Sequence, residues 1–157
     1  MLAAWRAPVD VRAYLLKRNL CPVVSELVSG GMDPLAASTL VGHRVRCAMG
    51  DREVDGQRIL WAAEEARRRS LPADATRDLV VLALLEPADS FDELLERAAF
   101  RKATQKEVSE AVRREVAKGD VRDPEAAVRA VMGRVRAVAW GNVPLRMVAK
   151  WVEEATR

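Results

Sequence analysis

Apolar positions along this chain recur every three to four residues rather than every second one, in blocks separated by turn-forming residues. That period predicts helices throughout. The first runs from about Val9 to Asn19. Pro22 opens the second, which ends at Gly30-Gly31, and Asp33-Pro34 opens a third that reaches Gly50, with proline at the first helical position. Asp55 starts the next, ending near Arg69 in the triplet Arg67-Arg68-Arg69. Asp74 is expected as the N-cap of the run through "DLVVLALL" (Asp78 to Leu85), with Pro87 as its stop; that run could pass for a buried strand, but a lone strand has no partner here. Ser90 with Glu93, and Thr104 with Glu107, have capping-box spacing. Gly119 closes the second of these helices. Asp123-Pro124 opens a helix to Trp140, Gly141-Asn142 breaks it, and a last helix starts at Val143 or Pro144 and runs to about Thr156.

The fold class is therefore all-α, a bundle of about nine helices. The polar stretch "FRKAT" (Phe100 to Thr104) is the natural seam. It predicts a larger helical domain over 1–103 and a small three-helix tail domain over 104–157, with a continuous bundle as the alternative.

Composition narrows the setting. No run approaches the roughly 20 apolar residues of a membrane span, and the first residues lack the charged, then apolar, then small-residue pattern of an export signal, so a cytoplasmic protein without membrane partners is expected. Cys21 and Cys47 have no CxxC spacing, which argues against zinc; two buried thiols are expected, with a disulfide as the alternative. The single histidine, His43, reads as a surface or core residue. No nucleophile elbow, phosphate loop or dinucleotide fingerprint is present, so neither catalysis nor a cofactor is expected. Glu86, Asp89, Asp92, Glu93 and Glu96 form an acidic cluster, but it straddles a helix end and the next helix start, where carboxylates complement the helix dipole.

Charge is uneven. Residues 1–103 carry 15 basic and 15 acidic side chains, whereas 104–157 carry 11 and 8, so the surplus of +3 lies at the C-terminal end. There Val128, Val131, Val135 and Val138, widened by Met132, form a core stripe. Arg122, Arg129 and Arg136 follow one another at intervals of seven, placing successive guanidinium groups about 10 Å apart along one face. Arg146 and Lys150, four apart, could extend that surface, and Arg113, Arg114 and Lys118 could edge it. Such a stripe can track a phosphate backbone; it can equally be a solvated face balanced by Glu115, Glu125 and Glu153. Gly133, mid-helix at a cost of roughly 1 kcal/mol relative to alanine, is expected to permit close approach of the last helix, whose Leu145, Val148 and Val152 share a face.

The stretch "VMGRVRAVAWGNVPLRMVAKWVEE" resembles the tail of the GatB/YqeY family through Val131-Met132-Gly133, the loop glycine Gly141, and Leu145 with Val148 at the head of the last helix. Upstream, the segment opening on Asp33-Pro34 and Thr39-Leu40 is more loosely similar to the helical linker of tRNA-dependent amidotransferase B and E subunits. The resemblance implies a non-catalytic helical module that binds tRNA or another structured RNA, with amidotransferase subunits as further partners. It makes Arg122, Arg129, Arg136, Arg146 and Lys150 the RNA-contacting residues and Gly133 and Gly141 the shapers of the hairpin. Where the family loop reads Gly, basic, Ala, Asp, Gly, this chain has Gly141-Asn142-Val143-Pro144, with neither the basic residue nor the Asp-Gly step. Two rivals remain: a protein-interaction module using Trp5, Trp61, Trp140 and Trp151, and a helix-turn-helix DNA binder, against which "ATQKEVSEAVRREVAKG" reads as one unbroken helix.

Overall fold

The computed structural model describes residues 7–118 and 124–155. All regular structure among them is helical: α1 (Val9–Lys17), α2 (Cys21–Ser29), α3 (Pro34–Thr39), a π-helical turn (Leu40–Val45), α4 (Arg46–Met49), α5 (Gly56–Arg68), α6 (Ala73–Leu85), α7 (Phe91–Arg97), α8 (Gln105–Ala117), α9 (Pro124–Ala139) and α10 (Leu145–Ala155). The run "DLVVLALL" is helix, within α6. Gly119, expected to close α8, and Arg122 and Asp123, expected at the entry to α9, lie outside the described residues, as do Trp5 and Thr156.

Side-chain caps explain four of the helix starts. The Asp33 carboxylate accepts from the Ala36 N–H at 2.9 Å, and that of Asp55 accepts from the Arg58 N–H at 3.1 Å. Both capping boxes form: the Glu93 carboxylate accepts from the Ser90 N–H at 2.7 Å, and that of Glu107 accepts from the Thr104 N–H at 2.6 Å. Asp74 departs from expectation. The helix begins one residue before it, and the Pro72 carbonyl accepts from both the N–H and the hydroxyl of Thr76, so Asp74 falls in the first turn instead of capping it.

The chain divides into two compact units, one built from residues up to Arg69 with Arg77–Leu94, the other from Ser70–Thr76 with Leu95 onward. In the first unit Leu15, Val24, Leu40, Val41, Val45, Ile59, Leu79 and Val80 are fully buried. The π turn packs on α1. It is seated there by Gly42, where an added β-carbon would stand 2.5 Å from Cγ1 of Val11. Arg58 closes the C-terminal end of α6: its guanidinium donates to the carbonyls of Ala83 (3.1 Å), Glu86 (3.3 Å) and Asp89, and lies 3.9 Å over the Trp61 ring.

Two members of the acidic cluster have structural duties of this kind. Glu93 serves a capping box, and Asp92 pairs with Arg69. His43 is exposed on the π turn. Both cysteines are free thiols, but the expectation that they are buried is corrected: Cys47 is exposed and Cys21 half-buried, because each sits off the apolar stripe of its helix.

In the second unit α8, α9 and α10 pack on one another as a three-helix bundle. Its buried core is almost all valine: Val108, Val112, Val131, Val135, Val143, Val148 and Val152, with Ala139. Val131, Val135, Val148 and Val152 are the members of it read from spacing; Val128, Met132, Val138 and Leu145 are partly buried against it. Among the described residues no helix is long and apolar enough to cross a membrane.

Candidate nucleic-acid interface

The α9–α10 turn is built first by backbone. The Ala139 carbonyl accepts from the N–H groups of Asn142 (3.0 Å) and Val143 (3.1 Å), and Gly141 takes a positive φ of 77°. Phe100 packs against this glycine and meets Trp140 edge-on, ring centroids 6.2 Å apart. Asn142 then ties the turn to the segment leading into α8. Its Oδ1 accepts from the Ala103 N–H at 2.9 Å, while Nδ2 donates to the carbonyls of Arg101 (2.7 Å) and Val138 (3.0 Å). Asn142 is thus the residue that fixes this loop in place.

Gly133 is corrected. It is exposed, and nothing lies within 4 Å of a β-carbon built on it, so no neighbouring backbone needs its smallness. The valines of α9 face the core, which leaves position 133 pointing away from it.

Arg129 and Arg136 are both exposed on α9 and share a face, about 20° apart around the axis. Arg146 and Lys150 are exposed on α10, on the side roughly opposite Val148. Lys150 is partly neutralised by Glu154 at 3.7 Å. Arg122 lies outside the described residues. Glu115 holds Lys118 and, at 3.6 Å, Arg134; the hydrogen bond from Lys118 leads the causes that keep its carboxyl below the usual range, with the charge of Arg134 adding to it and burial opposing.

Engagement separates the two units more sharply than charge does. Every described arginine of the first unit is occupied: Arg67, Arg68 and Arg69 by Glu64, Glu65 and Asp92, Arg44 by Asp78, Arg18 by Asp51, Arg46 by the Tyr14 ring, Arg12, Arg52 and Arg58 by backbone carbonyls, and Arg77 likewise has a partner. In the second unit the exposed side chains of Arg101, Arg113, Arg114, Arg129, Arg136 and Arg146 have no partner among the described residues. Spacing could find Arg129 and Arg136; only the structure tells an occupied guanidinium from an open one.

Beside these lies an open groove of about 630 Å³ between α8 and α10, lined by Gln105, Lys106, Ser109, Val112, Arg113, Trp151, Glu154 and Ala155. Trp151 is half-buried, packed in part on the valine core. Trp140 is buried and Trp61, like Trp151, half-buried, so the described tryptophans do not form the exposed apolar patch from which the interaction-module rival would gain; Trp5 lies outside the described residues. The segment raised for the helix-turn-helix rival is the unbroken helix α8.

The chain matches no protein-family model, no curated protein and no solved structure with which it was compared.

Proposed function

We propose that this chain is a non-catalytic helical module that binds tRNA or another structured RNA through its second compact unit, as the tails of amidotransferase subunits do, in a cytoplasmic setting and with amidotransferase subunits as further partners. The observation that supports it is the set of six exposed arginines in that unit that have no partner among the described residues, set against the first unit, where every described arginine is engaged. An open guanidinium gives up no ion pair on meeting a phosphate, and each phosphate neutralised releases counterions. Arg129, Arg136, Arg146 and Lys150 are assigned the phosphate contacts.

The test is a titration with bulk tRNA at several salt concentrations. Log affinity should fall linearly with log salt, and changing Arg136 and Arg146 together to alanine should reduce that slope by about 2. Binding indifferent to salt and to both substitutions would overturn the proposal.

A second reading has one observation of its own. On α1 Val9 and Leu16, seven residues apart, are 78% and 63% exposed, with exposed Ala13 between them. Such a stripe suits a protein partner, and that binding would be insensitive to salt.

A further inference from the structure

We infer that the groove between α8 and α10 receives an unpaired RNA base, stacked on Trp151, with the adjoining phosphate on Arg113. This rests on the RNA-binding reading and adds to it a second kind of contact, one to bases and not only to backbone.

Five features of the groove point to that occupant. Trp151 is half-buried, so its ring is held by the core while part of it stays open to the groove; a fixed indole is a stacking platform for any base. Arg113 lines the same groove, is exposed, and has no partner among the described residues. Lys106 adds a second cation, held only loosely by Glu110 at 4.0 Å between two exposed side chains. Gln105 and Glu154 supply acceptors, and every RNA base carries an N–H donor on its Watson–Crick edge, an edge reached only when the base is unpaired. A volume of about 630 Å³ accommodates one nucleotide, and a duplex, whose bases are stacked inside, offers it no free base face. None of Arg129, Arg136, Arg146 and Lys150 lines this groove, so the two sets of contacts can be separated by mutation.

The full chain is titrated with a labelled eight-nucleotide uridine strand, with a blunt eight-base-pair RNA duplex and with bulk tRNA. The single strand should bind at least tenfold more tightly than the duplex. Trp151→Ala should weaken single-strand binding on the order of tenfold, Trp151→Phe should retain most of it, and Arg113→Ala should lower the salt slope by about 1. Helix content and melting temperature of each variant establish that it is folded. Should Trp151→Ala not fold, ultraviolet crosslinking of the unaltered chain to a 4-thiouridine strand decides. Adducts on the peptides bearing residues 105–113 or 151–155 support the groove, and adducts confined elsewhere overturn it. A folded Trp151→Ala variant that binds the single strand as the unaltered chain does, or a duplex that binds equally well, also overturns it. If tRNA still binds with its salt slope intact, the groove alone falls; if tRNA does not bind at all, the RNA reading falls with it.

Discussion

The Phe100 ring fills the space that a side chain at Gly141 would need: a β-carbon built there would stand 2.6 Å from Cε2 and 2.7 Å from Cδ2 of the ring. The backbone at Gly141 is also left-handed, with φ of 77°. Both penalties fall on Gly141→Ala, which should cost about 2–4 kcal/mol, of which roughly 1–2 is backbone conformation and the rest overpacking. Urea unfolding measures it. In a Phe100→Leu background the overpacking part should disappear and the conformational part remain; an unchanged cost there would show that the ring is not the obstacle.

Gly133, eight residues earlier in the same hairpin, should behave in the opposite way. Its helical position is exposed and its surroundings are empty. Gly133→Ala should therefore stabilise the protein by about 1 kcal/mol, the helix-propensity difference between the two residues. Thermal melts of the two glycine variants side by side give the comparison, and destabilisation at position 133 would contradict the open environment described here.

Asn142 reads both polarities of the backbone opposite it, accepting from Ala103 and donating to Arg101 and Val138. Asn142→Ala leaves a part-buried donor and acceptors without partners, at about 2 kcal/mol. Asn142→Asp keeps the acceptor for Ala103 but turns a carboxylate oxygen toward carbonyls. Its penalty should be largest at neutral pH and shrink once that carboxyl is protonated in acid. Hydrogen exchange at the Ala103 amide is the local probe: it should quicken in Asn142→Ala and remain slower in Asn142→Asp.

What could be read from residues alone was what local rules govern. Asp33, Asp55, Ser90 with Glu93, and Thr104 with Glu107 announce helix starts because a cap and its target lie within three residues of each other. The valine stripe of α9 is legible for the same reason. The π turn at Leu40–Val45 is not: "LVGHRV" fits an α-helix as well, and the seat that Gly42 gives Val11 joins residues 31 positions apart. Nor is Arg58, which closes α6 from 25 residues away. The candidate interface divides in the same way. The arginine spacing shows on inspection, but Trp151, Gln105 and Lys106 come together only when α8 packs against α10. The open face at Gly133 is legible too: two residues from both Val131 and Val135, it stands about 160° around the axis from each, away from the core.

Two carboxylates of the second unit make its stability depend on acid. Glu107 is held below the usual range by the hydrogen bond from the Thr104 backbone and then by that from its hydroxyl; Glu115 is held below it chiefly by Lys118. A carboxyl whose folded pKa lies below its unfolded value stabilises the fold above that unfolded value, here near 4.5, and the contribution is lost as pH falls through the lowered folded value. The melting temperature should therefore drop as pH is taken below about 4.5. Glu107→Gln retains a side chain able to complete the capping box but cannot titrate. In that variant the acid-side drop should be shallower while the neutral-pH value changes little, and an acid dependence identical to the unaltered chain would remove Glu107 as a contributor.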